Sequence, residues 1–295
     1  YLYAYKTAKV TTIFERDITA KKEYRYTVPA LKKELTPIEE RNTPNKLFLA
    51  TATVWNCKET EIPFRWFNEK IDIYSTDYNE MLPLVSPMYE NDQDGSLKSF
   101  MINILQEADF NIGDYIFDVR EVSDEHFKQR FPRKLQFLIP TGPGVQHKDY
   151  LITTIHHTDN DYTLPMEEES QGTKSLFMLS PLLKKAFETG RIICIDEFDT
   201  HLHPMLVIFL VGLFNNPNVN TGNAQLIISV HTTELLSLKV LRRDQIYFIQ
   251  KDRTTCVSEL YSLDEFSPRT REDIRKAYLL GRYGSVPELG DGDSL

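Results

Sequence analysis

The chain has 295 residues, 41% hydrophobic and 26% charged, the balance of a folded chain of one large or two modest domains and not of a disordered one. Its longest apolar run, Met205 to Phe214, is ten residues, short of the roughly 18 that a bilayer span needs. A net charge of −9 excludes a globally basic surface, and three cysteines (Cys57, Cys194, Cys256) without a CxxC pair argue against a disulfide framework and for a reducing cytosol.

Tyr1 is not an initiator Met, and Tyr1 to Lys6 reads at once as strand, without the basic and apolar regions of a signal peptide. The sequence is therefore expected to be the later part of a longer chain. Thr11 to Phe14 and Glu23 to Thr27 read as two further short strands. From about Leu31 to Phe131 the texture turns helical. A helix is expected over Asn45 to Cys57, starting at Thr43 or Pro44, and another over Leu97 to Ala108 after Gly95-Ser96. Strand patterns return at Leu135 to Ile139 and Tyr150 to Thr154.

Gly172 to Glu188 has a helical apolar face (Leu176, Phe177, Leu179, Leu182, Leu183, Phe187) and a stop at Gly190. Ile192 to Ile195 and Leu226 to Val230 are continuous apolar runs, the pattern of parallel strands buried on both faces. Between them Pro204 opens an apolar helix to Phe214. Thr232 to Leu236 reads as a short helix, Gln245 to Ile249 and Ser258 to Tyr261 as strands, and Gly290 to Leu295 as a frayed tail. Alternating strands and helices in the last third indicate an α/β sheet.

Three segments carry chemistry. Asp196 and Glu197 follow a buried strand, where open α/β sheets place their ligands, and there an Asp can hold Mg²⁺ while a Glu polarises water. Ser170 and Gly172 open a helix whose free amides suit a phosphate. His231 stands where the second apolar strand ends and can contact a terminal phosphate. Each has an ordinary alternative, respectively an acidic strand end, an N-cap and a structural histidine. Spacing joins them: Gly172 lies 24 residues before Asp196, and Glu197 lies 34 before His231, with a helix expected in each interval. Gly172-Thr173-Lys174-Ser175 only mimics a P-loop tail, and no GxxxxGK[ST] occurs in the sequence.

On these residues the chain resembles the carboxyl-terminal half of an ABC-type ATPase head. Glu169-Ser170-Gln171-Gly172-Thr173 stands in the signature position, IICIDE in that of Walker B, Thr200-His201-Leu202-His203 in that of the D-loop, and His231 in that of the switch histidine. DEFDTHLHP, SVHTTELL, LRRDQIYFIQKD, SELYSL and YLLGRYGSVP are similar to the AAA-family ATPases of bacterial anti-phage systems, the RloA and AbiL type, related to the PARIS ATPase and the OLD nucleases. The match is dense over 165–288.

The resemblance implies an α/β ATPase head, a parallel-sheet core with an antiparallel β subdomain, divided as 1–30 antiparallel strands, 31–131 helical insertion, 132–288 second half of the head and 289–295 tail. It implies ATP and Mg²⁺ as cofactors, Asp196 on the metal, Glu197 and His231 as catalytic, and Ser170, Gly172, Thr173, Thr200 and His203 as nucleotide-binding. Ser170 and Gly172 would reach the partner's nucleotide across a head-to-tail dimer or higher oligomer. A cytoplasmic sensor or motor of an abortive-infection complex follows, beside a separate nuclease-type effector, with nucleic acid or a phage protein as further partners and no membrane. Departures stand at Thr173 (for Gln), Gln171 (for Gly) and Phe198 (for Pro). Without a P-loop this stretch is expected to bind ATP poorly, the cradle being upstream.

Other readings are a nucleotide-gated scaffold with little hydrolysis and an SMC- or RecF-like DNA-repair head. His201 and His203 also form an HxH, but the 92 residues after His203 are too few for the barrel that uses one. His147, His156 and His157 read as solvated loop rather than as ligands. Arg242-Arg243 and Arg130, Arg133 and Lys134 are local basic clusters, read as solvated faces with nucleic-acid contact as the alternative.

Overall fold

Tyr, Thr and Val alternation near the start builds an antiparallel sheet of β1 (Leu2–Lys6), β2 (Lys9–Arg16) and β3 (Tyr24–Tyr26), in that order. The computed structural model describes residues 2–6, 9–43, 45–128, 142, 145–269 and 271–287. It divides into two compact units, Tyr1–Asp72 and Ile73–Leu295. In the first, α1 (Pro29–Glu39) buries Leu31, Leu35 and Ile38, one helical face, against Phe48 and Ala52 of α2 (Phe48–Val54) and Cys57. Phe14 stacks on Phe48 with ring centroids 5.0 Å apart. The helix α3 (Lys58–Lys70) buries only Thr60. The helix expected over Asn45 to Cys57 is the shorter α2, because Leu47 is extended and Asn56 has φ 63°; Pro44 lies outside the described residues.

The division falls within β4 (Ile71–Tyr74). Two helices follow. Asp77 starts α4 (Tyr78–Glu90) by accepting from the Asn79 and Glu80 amides at 2.8 and 3.0 Å. Asp92 does the same for α5 (Ser96–Glu107) through Leu97 and Lys98. An antiparallel sheet of β5 (Ile112–Val122), β6 (His147–His156) and β7 (Tyr162–Pro165) comes next, with the short α6 (Asp124–Lys128) after β5. The stretch read as a helical insertion thus also contains β4 and β5. A register shift between Ile112 and Asp114 breaks the alternation that would have announced β5. The strand expected at Leu135 to Ile139 and the tail from Gly290 lie outside the described residues.

The centre of the second unit is α7 (Gln171–Thr189), capped by Ser170 and closed by Gly190, with thirteen buried residues. Pro181 sits inside this helix and has no N–H to give the carbonyl of Phe177, four residues back. Tyr89 of α4 supplies the missing donor: its buried hydroxyl donates to the Phe177 carbonyl at 2.6 Å, and its ring stacks on the Phe177 ring at 4.5 Å. Burial holds the Tyr89 hydroxyl in its protonated, donating form. At the other end Gly190 has φ 65°, and a Cβ there would lie 2.3 Å from the Gly222 carbonyl oxygen, so both conformation and space demand glycine.

Gly190 delivers the chain into β8 (Ile192–Ile195), followed by α8 (Pro204–Phe214) and β9 (Gln225–Ile228), a parallel βαβ unit in a sheet ordered β4-β8-β9. The two strands are not buried on both faces as their composition suggested. Ile193 and Ile195 face the core, while Cys194 is half-buried and its registered neighbour Ile227 is 60% exposed. On β4, Ile73 is 81% exposed. A hairpin of β10 (Tyr247–Lys251) and β11 (Ser258–Ser262) then packs with α9 (Ile274–Leu279) around Phe248, Leu263, Ile274 and Tyr283. The molecule is therefore mixed α/β, with a parallel pair beside antiparallel sheets, the architecture expected from the sequence.

Candidate functional site

Parallel pairing brings the carboxyl ends of β8 and β9 side by side, with Ile195 in register with Ile228. Asp196 and Glu197 leave β8 together. Glu197 adopts φ 49°, an unusual conformation for a residue with a side chain, in a turn anchored by the fully buried Phe198. Ser229, just past β9, stitches the two ends: its hydroxyl donates to Asp196 Oδ1 and accepts from the Glu197 amide at 2.8 Å, and its carbonyl accepts from the Phe198 amide at 3.0 Å. The exposed carboxylate of Asp196 is the hard oxygen donor that a divalent cation of the Mg²⁺ type takes.

His231 comes to this edge on the segment after β9. Its Nε2 lies 3.6 Å from Glu197 Oε1, beyond hydrogen-bond length, and both side chains are exposed. The short helix expected from Thr232 to Leu236 does not form. Asp199 accepts from His231 N at 3.0 Å and Thr232 N at 2.7 Å, as a helix cap would, but the chain continues as turns. Beyond them Arg275 of α9 holds Thr233 Oγ1 at 2.9 Å and Glu234 Oε1 at 2.9 Å. Asp196, Glu197 and His231 are thus brought together, as their spacing implied.

The start of α7 forms a second cluster. Ser170 Oγ accepts from the Thr173 amide at 3.1 Å and meets Thr173 Oγ1 at 2.8 Å, so Thr173 is buried and spent on the cap while Ser170 stays exposed. A Cβ on Gly172 would sit 3.3 Å from the His201 carbonyl oxygen, which brings the turn after Glu197 against the helix start. His201 itself has φ 67°. Thr200 is half-buried in that turn, and its amide donates to the Glu197 carbonyl at 2.9 Å. His203 caps α8, its Nδ1 accepting from the Met205 amide at 3.2 Å. Lys174 is buried and donates to the Glu167 carbonyl at 2.8 Å beside the Tyr78 ring.

Several residues gained partners that one-dimensional reading missed. His156 is no loop residue: it ends β6, with Nε2 2.7 Å from Glu169 Oε1 and its ring stacked on Tyr162 at 4.6 Å, so it braces the residue before Ser170. His147, at the far end of the same strand, is buried and stacks on Phe127, whereas His157 is exposed beside Asp161. Arg242 and Arg243 are paired with Asp244 and Asp264, while Arg130, Arg133 and Lys134 lie outside the described residues. Among the described residues Glu34, Cys57 and Glu59 bring ligand atoms within 4.8 Å of one another, but burial pushes the Cys57 thiol up and so keeps its proton on. Ser229 and Asp199 carried no sequence signal of their roles beyond their positions at the two strand ends.

Residues 66–237 match the family model described as "AAA domain, putative AbiEii toxin, Type IV TA system". No curated protein matches the chain. Among solved structures it is similar to the Smc head domain with an extended coiled coil bound to the C-terminal domain of ScpA, from Pyrococcus furiosus, at 15% identity and a TM-score of 0.34. That similarity covers 81% of this chain and 49% of the Smc chain, so this chain spans about half of the structure it matches. No helix among the described residues is long and apolar enough to cross a membrane.

Proposed function

The chain belongs to this AAA-domain family, and from that premise we propose that it is the signature, Walker B and switch portion of an ABC-type head that hydrolyses ATP. The observation that carries the reading is the meeting of Glu197 and His231 Nε2 at 3.6 Å, over Asp196, where two parallel strands end. Asp196 would hold Mg²⁺, which when bound neutralises phosphate charge. Glu197 is the acceptor for a proton from attacking water, and His231, a donor on the same edge, faces the terminal phosphate. Ser170 and Gly172 sit at a helix start whose upper side is exposed, a geometry that suits the nucleotide of a head-to-tail partner. Thr200 and His203 flank His201, whose carbonyl abuts Gly172, and Thr173 serves the helix start from within, by fixing Ser170.

The main phosphate cradle is supplied from outside this sequence. Supporting this are the absence of GxxxxGK[ST] and the uncovered apolar residues Ile73 and Ile227 on the sheet that carries the site. Resemblance to the RloA and AbiL type supports a cytoplasmic sensor or motor of an anti-phage complex, working as a dimer or higher oligomer beside a separate nuclease-type effector. The same uncovered sheet favours a second reading, a nucleotide-gated scaffold that hydrolyses little until its cradle is docked.

Glu197→Gln tests the proposal. Turnover of the assembled protein should fall by about 10²- to 10⁴-fold, while ATP-driven association measured by sedimentation persists. Unchanged turnover would remove Glu197 as the base. Association without measurable turnover in the unaltered protein would select the scaffold.

A further inference from the structure

We propose that Asp199 is a positioning residue that sets His231 against Glu197 by gripping the backbone of the switch segment; this rests on the nucleotide-site reading above. The β8–β9 ladder pairs Ile195 with Ile228 and is prolonged by the Ser229 amide, which donates to the Ile195 carbonyl at 3.2 Å, so residues 230 to 234 lie past its reach. Two side chains from the turn after β9's neighbour and from β9's own end take over. Ser229 ties down Asp196 and the Glu197 amide, but it does not reach His231. The backbone of His231 is held by Asp199, through Oδ1 at 3.2 Å and Oδ2 at 3.0 Å, and Oδ2 also takes the Thr232 amide at 2.7 Å.

Both carboxylate oxygens of Asp199 are thereby committed to amides, which sets it apart from the exposed Asp196 in the same turn. Charge-assisted bonds of this kind are about twice as strong as neutral ones. The grip comes from a firm base. Phe198 is fully buried and its amide is bonded to the Ser229 carbonyl, while the Leu202 amide returns to the Asp199 carbonyl at 3.1 Å. One short turn therefore carries Glu197 on its exposed side and, two residues on, the anchor that places His231. Further along, Arg275 secures Thr233 and Glu234, so the segment is held at both ends and His231 cannot drift with its side chain alone. A displacement of about 1 Å in such a pair is enough to cost about a hundredfold in rate.

The test compares Asp199→Ala, Asp199→Asn and Glu197→Gln in the assembled, ATP-hydrolysing protein, with amide hydrogen exchange on the chain itself. Asp199→Ala should lower kcat by about ten- to a hundredfold and leave KM for ATP within about twofold. Asp199→Asn keeps the shape and one acceptor, so it should fall between Ala and the unaltered protein. Exchange at the His231 and Thr232 amides should speed up by about tenfold or more in Asp199→Ala, with the Ile193 and Ile195 amides of β8 unchanged as the control for folding. Full kcat in Asp199→Ala beside a dead Glu197→Gln would overturn the positioning role and leave the nucleotide site standing. A loss confined to KM, or unaltered exchange at His231 and Thr232, would overturn it equally. Full turnover in Glu197→Gln would bring down both the site and the role of Asp199.

Discussion

Two helices flank the candidate site, and they are buried to opposite degrees for their composition. α7 mixes Ser, Thr and Lys with its apolar residues, yet thirteen of its positions are buried, Lys174 among them. α8 is apolar throughout (PMLVIFLVGLF), yet only Val207, Leu210 and Val211 are fully buried and Met205 is 62% exposed. The strands differ too: β6 is paired along both edges, by β5 and β7, and buries Ile152 and Thr154, whereas β9 turns Ile227 outward. Apolar composition records all the surface a segment buries in its working assembly, and burial in this chain records what the chain covers by itself. By this measure the α7 side of the candidate site is covered within this chain, and the sheet side leaves Ile73 and Ile227 exposed.

The largest effects should come from the covered side. Phe177→Ala, which empties the centre of α7, should cost about 3–5 kcal/mol in urea unfolding. A value near zero would mean that α7 is not the core it is taken to be. Tyr89→Phe should cost about 1–3 kcal/mol, because the Phe177 carbonyl would be left buried without a donor. Adding Pro181→Ala restores a main-chain N–H at that carbonyl, so the double variant should recover most of the loss, and strict additivity would disprove the pairing.

The uncovered side should behave differently. Ile227→Ala should change the stability of this chain by no more than about 0.5 kcal/mol but weaken an assembly that covers this face, as proposed above, by the about 2–5 kcal/mol of a core truncation. Equal effects in both states would mean that this face is never covered. The smallest effect concerns pH. Burial would raise the Asp114 carboxyl, but the Lys98 ammonium at 2.5 Å and the Tyr115 amide at 2.7 Å outweigh it and hold it below the usual carboxylate range. A lowered carboxyl stabilises the fold above that range and stops doing so as pH falls through its own value. Asp114→Asn should therefore flatten the acid limb of the stability profile by a small amount, read from midpoints between neutral and acid pH.

Elements with local punctuation were legible in the sequence. Ser170 and Gly190 bracket α7, Gly95 precedes α5, and Asn215 closes α8 where it was expected. β8 and the β10–β11 hairpin were equally plain from their apolar and alternating patterns. What stayed hidden depends on distant partners. The segment after His231 looked helical because the side chains that tether it, Asp199 on the His231 amide 32 residues away and Arg275 on Thr233 42 residues away, leave no mark in the local pattern. His156 looked like loop because Glu169 is 13 residues further on. Of the candidate site, Asp196, Glu197, His231 and the helix start at Ser170 could be singled out from residue type and spacing, and the roles proposed for them rest on the resemblance. Ser229 and Asp199, which join the two strand ends, could not, since hydrogen bonds across a sheet edge leave no periodic trace.

The hydroxyl that Tyr89 lends to α7 also fixes the order in which sequence change can occur. A lineage carrying Pro181 can lose the tyrosine only at the expense of an orphaned carbonyl, whereas one that has first replaced the proline is free to vary position 89. Substitution at these two sites, 92 positions apart in the chain, should therefore run in one direction: changes at 181 open the way for changes at 89, and seldom the reverse.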